Sequence, residues 1–416
     1  MPDSALKIAI FVQEEPYPAA GGSAMRDWQN ILACSRLAPV LVICTAPSKR
    51  RTVRFDDRIT IKYYGSAQSW LLSDSLVSRF GTTLRRAYNW LSRPIGERLL
   101  CRAIRRDVSA FRPTHAVFEE YKCAALAPSL RGLPVKVVYD AHNVEATLQR
   151  SVGAGRWHEA KTSGRVRRLT IRSERQVVGV ANQIWVCSKL EGAAATEWFG
   201  PDLDIRVIPN TIEPLQYTEA YNRNLRRGSD GTLTLVFCGS FSYPPNQQAA
   251  DLLIQEIFPK IADDLPDARL MLIGRGPTAR MEKAARRDPR IKVTGFVANP
   301  ASYLSQGDIC LVPLLIGGGT RLKILEAFAS GCAVISTRKG CEGLALTEGK
   351  HVLIAETPEE FVAMAKRLWR DSSLRKQMIR DSYELVVSQY SLAAARCQIE
   401  HAIRDLVPDL KALQAD

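Results

Sequence analysis

Short runs of aliphatic and β-branched residues alternate with amphipathic helical stretches along nearly the whole chain, and this rhythm confines the fold to parallel sheets covered by helices. Strands are expected near 7–12, 40–44, 59–64, 115–118, 135–139, 183–187 and 205–208. A second series is expected near 233–238, 269–273, 292–294, 309–312, 333–336 and 351–354. Between the two series the apolar periodicity fades into Asn, Arg, Gly and Ser, which reads as a linker. With 416 residues and 46% apolar content, two cores are favoured over one. The fold class is therefore α/β, with two Rossmann-like doubly wound domains. The boundaries are 1–212 for the first, 213–231 for the linker and 232–390 for the second, with a final helix at about 391–416 expected to return to the first.

The ten cysteines are scattered without a C-x-x-C pair, mostly within apolar runs, as buried reduced thiols are. Five histidines and no close His/Cys/carboxylate spacing predict no bound metal. The first apolar run, 6–12, is too short for a secretory leader, and no run approaches the roughly 20 apolar residues of a membrane span. A cytoplasmic protein is expected.

The net charge of +14 is concentrated. Residues 79–112 hold nine arginines against Glu97 and Asp107, and residues 153–175 hold six arginines and Lys161 against Glu159 and Glu174. Trp70, Leu71, Leu76, Phe80, Tyr88 and Trp90 accompany the first stretch at helical spacing. Such a basic amphipathic surface suits peripheral contact with an anionic membrane on its cytoplasmic face, and equally a solvated helical face. No recognition motif accompanies the charge, so nucleic acid is not an expected partner.

The most informative segment is 316–344, IGGGTRLKILEAFASGCAVISTRKGCEGL. A Gly317-Gly318-Gly319 loop follows an expected strand, and Thr320 is the expected N-cap of a helix carrying Arg321, Lys323 and Glu326. Glycines let a ligand approach the backbone, and a helix N-terminus offers free N–H groups and a positive dipole end, so phosphate is the natural occupant. Arg321 and Lys323 add charge where a departing diphosphate becomes more negative. Glu326, one turn beyond Lys323 on the same face, suits a ribose diol.

This segment resembles the donor-binding signature of glycosyltransferase family 4, a Glu-x7-Glu element followed by a small-residue turn. Here the turn reads Gly331-Cys332-Ala333-Val334, Glu326 occupies the second glutamate position, and Gly318 stands at the first, where the family's glutamate touches the transferred sugar. Backbone amides of Gly318, Gly319 and Thr320 would have to substitute. Further matches follow in order: Val207-Ile208-Pro209-Asn210, then Gly239-Ser240 with Pro245-Asn246, then Gly274-Arg275-Gly276-Pro277, then Gly295-Phe296-Val297. The resemblance implies a GT-B fold, its two domains facing across a cleft, and a retaining transfer from a nucleotide-diphosphate sugar. UDP- or GDP-sugar is the expected co-substrate, with no cofactor. It places Gly239, Ser240, Gly274 and Val297 on the donor.

In the N-terminal half the first strand leads into Gly21-Gly22, without the G-x-G-x-x-G of a dinucleotide fold. The resemblance sets this loop near the donor phosphates and His142 against the transferred sugar. Asp140, Asn143 and Glu145 share that strand end, where four polar side chains in six positions are costly to bury. They are expected to face a glycan, lipid-linked or protein acceptor, as in bacterial surface-polysaccharide synthesis. The catalytic expectation falls on His142, Arg321 and Lys323. A nucleotide-sugar epimerase, with Asp140 and Glu145 shuttling protons, and a catalytically degenerate scaffold are the alternatives.

Overall fold

The computed structural model describes residues 6–19, 22–65, 82–145, 164–228, 231–317 and 321–406. Trp70, Leu71, Leu76 and Phe80 of the first basic stretch, and Arg156 and Lys161 of the second, lie outside these residues. Among the described residues no helix is long and apolar enough to cross a membrane.

The described residues divide into two compact units, the first comprising those up to 208 and from 395 to 406, the second those of 209–394. In the first unit the strands are β1 Ile8–Val12, β2 Val40–Cys44, β3 Arg51–Arg54, β4 Ile59–Tyr63, β5 His115–Glu119, β6 Lys136–Ala141, β7 Gln183–Val186 and β8 Ile205–Val207. They form one sheet ordered β3-β4-β2-β1-β5-β6-β7-β8. Only β3 is antiparallel to its neighbour among the described strands.

Helices cover both faces, so alternate residues of one strand enter different cores. Ala9 and Phe11 join one apolar cluster, Ile8, Ile10 and Val12 the other. That two-sided burial explains why these strands read as unbroken apolar runs. The helix Leu392–Asp405 puts Ile399, Ala402 and Ile403 into the same cluster as β1.

In the second unit the strands are β9 Thr234–Cys238, β10 Arg269–Ile273, β11 Ile291–Val293, β12 Ile309–Val312, β13 Ala333–Ser336 and β14 Leu353–Ile354. Their order is β11-β10-β9-β12-β13-β14, parallel throughout. The order turns back between β9 and β12. At such a switch, ligands settle outside the carboxyl ends of the strands.

One expectation is corrected here and one strand is added. The described part of the stretch read as a linker carries regular structure and groups with the second unit: a 3-10 turn at Pro214–Tyr217 leads into a helix at Thr218–Arg226. Its buried Asn224 donates through Nδ2 to the Leu304 and Ser330 carbonyls at 3.2 and 2.9 Å. Strand β3 was not expected, because all four of its residues are exposed and carry no apolar signal.

Candidate donor and acceptor sites

At the carboxyl end of β9 in the second unit, Gly239 abuts two polar side chains. A Cβ on it would lie 2.8 Å from Asn246 Nδ2 and 2.9 Å from Lys323 Nζ. Gly274, at the end of β10 with φ +145°, would drive a Cβ into the Gly239 carbonyl. The Gly274 turn thus requires glycine, and the absence of a side chain at Gly239 lets Asn246 and Lys323 close on the backbone there. Ser240 anchors that loop twice, its carbonyl accepting from Asn246 Nδ2 at 2.8 Å and its hydroxyl from Arg275 Nε at 3.3 Å.

Lys323 and Glu326 lie on the helix Leu322–Ala329. Lys323 Nζ donates to Asn246 Oδ1 at 2.6 Å and sits 4.3 Å above the Phe237 ring. It therefore meets a neutral amide and an aromatic face rather than a carboxylate at contact distance. Burial, aided by the charge of Arg321, brings its ammonium down to about 8. Glu326 is pushed up to about 7 by burial, against a hydrogen bond donated by Tyr217 Oη at 3.3 Å and the charge of Lys323. Each charge is thus held in a place that disfavours it.

Arg321, not Thr320, is the N-cap residue of this helix, and no side-chain hydrogen bond caps it. Arg321 is 7% exposed, and its guanidinium faces Gly317, where a Cβ would meet Nη2 at 3.2 Å. Gly318, Gly319 and Thr320 lie outside the described residues, as does Gly21. Val297 packs partly buried on the core of this unit, while its neighbour Phe296 is 73% exposed.

In the first unit, β5 and β6 end with Glu119 and Asp140 directly paired in register. Like charges so placed repel, and the surrounding side chains resolve this. Arg26 forms a fork on Asp140, with Nε to Oδ2 at 2.7 Å and Nη2 to Oδ1 at 2.5 Å, while its Nη1 donates to the Ile208 carbonyl. Asn30 Nδ2 bridges Asp140 Oδ2 at 2.7 Å and Glu119 Oε1 at 3.1 Å. Burial alone would raise Asp140, and the adjacent guanidinium outweighs it and holds the carboxyl below its ordinary value.

His142 sits amid this array. Its Nε2 lies 3.1 Å from Glu119 Oε2 and 3.3 Å from Asp27 Oδ1, and its Nδ1 lies 3.2 Å from Glu120 Oε1 and 3.2 Å from Ser23 Oγ. Burial opposes a charged ring, but bonds to Asp27, Glu119 and Glu120 carry it well above its ordinary value. Burial correspondingly raises Asp27 and Glu119. Glu120 is held low despite burial by His142 and by Lys122 Nζ at 2.7 Å.

Asp140 is thereby corrected as an acceptor contact: it is fully buried and already committed to Arg26, Asn30 and the neighbouring ring. Asn143 and Glu145 keep partial exposure. The backbone N–H groups of Val144 and Glu145 are taken by Glu191 Oε2 at 2.8 Å and Glu174 Oε1 at 3.0 Å. Gly22 opens the helix Gly22–Leu37 and is exposed. Sequence reasoning missed Arg26, Asp27, Asn30, Glu119, Glu120 and Tyr217. The available signals were an Arg-Asp pair inside an apolar helix and two adjacent glutamates at a strand end.

Residues 232–371 match the family model described as Glycosyl transferases group 1. Over 204 residues the chain is 24% identical to a phosphatidyl-myo-inositol mannosyltransferase of Mycobacterium tuberculosis, covering 46% of this chain and 52% of that protein. The chain thus spans about half the length of the curated relatives it matches first. Among solved structures, sucrose-phosphate synthase from Thermosynechococcus elongatus is similar at TM-score 0.74 and 16% identity, over 96% of this chain and 99% of that one. Anabaena HepE in complex with UDP-glucose is similar at TM-score 0.63 and 12% identity, over 96% and 99%. The fold is GT-B, two Rossmann-like units each built on a parallel sheet.

Proposed function

We propose that this chain, whose residues 232–371 match the group 1 glycosyl transferases, is a retaining glycosyltransferase. It takes a sugar from a nucleotide-diphosphate sugar and passes it to a glycan, lipid-linked or protein acceptor in bacterial surface-polysaccharide or glycoconjugate synthesis. The observation that carries this reading is the cation Lys323, pressed against the glycine turn at the end of β9 with a carboxylate one turn further along its helix. The solved neighbours bound to UDP and to UDP-glucose support UDP as the base-carrying half of the donor. A GDP-sugar is the alternative donor.

Gly239, Ser240 and Gly274 bring backbone to the diphosphate, Arg321 and Lys323 stabilise its growing negative charge, and Glu326 accepts hydrogen bonds from the ribose hydroxyls. Val297 lies beside the base. The acceptor oxygen attacks the anomeric carbon on the face the diphosphate leaves, a donor phosphate oxygen takes its proton, and the bond to the diphosphate breaks. Protein cations do the work a metal ion does elsewhere. The first unit serves the acceptor, through Asn143 and Glu145, with His142 near the transferred sugar. The basic stretches of that unit support work at the cytoplasmic face of a membrane. Of the two acids that an epimerase reading draws on, Asp140 is taken up by its fork with Arg26, which leaves Glu145 alone for that reading.

The test is a thermal-shift and binding screen across UDP-, GDP- and ADP-sugars, followed by transfer assays. Glu326→Ala should chiefly weaken nucleotide binding and Lys323→Ala chiefly slow transfer. Full activity in both variants would remove the site assignment, and acceptor-independent epimerisation would replace the reaction.

A further inference from the structure

We propose that a cavity in the second unit, at the amino ends of β9, β10 and β11, binds a phosphate-bearing anion, at a place distinct from the proposed diphosphate site and independent of the transfer reaction. The cavity has a volume of about 610 Å3, and Arg227, Arg269, Arg290, Lys292 and Trp369 are among the residues lining it. Thr234 and Arg269, the first residues of β9 and β10, mark the strand ends that it covers. Gly239 and Gly274 follow the other ends of the same two strands, and five residues of strand set the two places roughly 17 Å apart.

The wall carries more positive charge than its surroundings answer. Arg290 is forked onto Asp288, with Nε 3.0 Å from Oδ1 and Nη2 2.8 Å from Oδ2. Arg227 Nη1 donates to the Gln306 carbonyl at 2.7 Å and lies 3.4 Å from Asp308 Oδ1, while Asp308 Oδ2 accepts from the Thr234 N–H at 2.8 Å. Arg269 and Lys292 are exposed, and among the described residues neither forms an ion pair. Lys292 Nζ lies 5.5 Å from the centroid of the Tyr303 ring.

Exposed cations alone would make only a solvated rim, and Arg375 is the independent observation. It is 2% exposed and stands against the cavity wall. Its Nη2 donates to the Gly228 and Arg227 carbonyls at 2.9 and 3.4 Å, and its guanidinium lies 5.1 Å from the Trp369 ring centroid. Its Nη1 is buried and meets no acceptor among the described residues. A guanidinium stays charged, and a buried charged donor left without an acceptor is costly. Burial lowers its pKa from the ordinary value; Asp308 opposes that and Arg227 adds to it. With Arg375 counted, five cations meet the two carboxylates Asp288 and Asp308, which leaves three positive charges around one cavity. Phosphate fits this better than a carboxylate does, since it brings roughly two negative charges and oxygens that guanidinium forks take in pairs. A volume in the usual range of small-molecule sites leaves room for the organic group that carries the phosphate.

The experiment titrates inorganic pyrophosphate, as the probe, into the full chain by calorimetry at about 0.15 M salt, where loose surface attraction is screened. Two binding events are expected. Lys323→Met should remove the one at the donor site, and the double variant Arg269→Gln with Lys292→Gln should weaken the other by about 100-fold. Both replaced residues are exposed, so the double variant should keep its Tm and its UDP affinity. Pyrophosphate binding equal in the double variant and the wild type, or lost altogether in Lys323→Met, would overturn the site. The two readings fail separately, because Lys323→Met reports on the donor site and the double variant on the cavity. A parallel sedimentation with phosphatidic-acid vesicles separates two sources of the phosphate, and either upholds the site. Vesicle binding that weakens in the double variant assigns a lipid headgroup; vesicle binding unchanged beside lost pyrophosphate binding assigns a soluble phosphorylated molecule.

Discussion

Replacing Lys323 by Met should change the pH dependence of stability in a way that isolates its buried charge. The ammonium falls from its ordinary 10.5 to about 8 in the folded chain. The charged form is therefore disfavoured by about 3 kcal/mol relative to the unfolded state. Between those two values the unfolded chain holds a proton that the folded chain has released, so this group makes stability rise with pH from about 8 to 10.5. Below about 8 both states are protonated and the penalty is constant. Lys323→Met should abolish that rise of about 3 kcal/mol, whatever constant offset follows from losing the Asn246 bond and the Phe237 contact. The assay is urea unfolding at a series of pH values, following the transition that UDP shifts, because a chain of two units need not unfold in one step. Saturating UDP places negative charge beside the ammonium and should flatten the wild-type rise as well. Parallel stability curves for wild type and variant across that window would refute the argument that Lys323 is held in a disfavoured charged state.

Tyr217→Phe removes the hydrogen bond to Glu326 and should weaken UDP binding about 5–10-fold, on the order of 1 kcal/mol, measurable by calorimetry. Glu326 sits near 7, so wild-type nucleotide affinity should rise as pH increases through that value and the carboxylate forms. Glu326→Gln should lack that rise in a binding titration from pH 5.5 to about 8. Gly274→Ala sets a Cβ into the Gly239 carbonyl at φ +145°, and should cost about 3 kcal/mol or displace both glycine turns, seen as loss of UDP binding with a lowered Tm. Arg26→Met leaves Asp140 buried without its guanidinium and should destabilise the first unit by about 3–5 kcal/mol in thermal unfolding.

What the sequence made legible depended on whether a residue's role was fixed by its own neighbours. Val40–Cys44, Arg269–Ile273, Ile309–Val312 and Ala333–Ser336 were expected with their observed bounds, because two-sided burial makes each an unbroken apolar run. Gly239 and Gly274 stood out as glycines in strand-end turns, and at Gly274 only glycine permits the backbone to meet another carbonyl so closely. The Thr218–Arg226 helix was missed because only its Ala220 and Asn224 are buried, and the partly buried Tyr221 and Leu225 make too short an apolar stripe to read among its polar residues. Thr320 was a reasonable cap by residue type, yet the helix begins one step later, after Arg321.

The His142 array was illegible for a different reason. Its members come from the helix Gly22–Leu37, from β5 and from the end of β6, and only the pairing of Glu119 with Asp140 brings them together. Register, not spacing, creates that chemistry, and one sequence does not state which strand lies beside which. Once the register is known, the two sheets present unlike arrangements at their carboxyl ends. In the second unit Lys323 is set against a neutral amide and an aromatic ring, an arrangement that an incoming anion improves. In the first, four carboxylates crowd one imidazole, and two of them have their own cation. There the ring itself, carried well above its ordinary value by Asp27, Glu119 and Glu120, supplies the missing cation. The array of the first unit thus answers its charges from within, whereas Lys323 answers to an anion that only a ligand can bring, which is why the proposed donor site rests on the second unit.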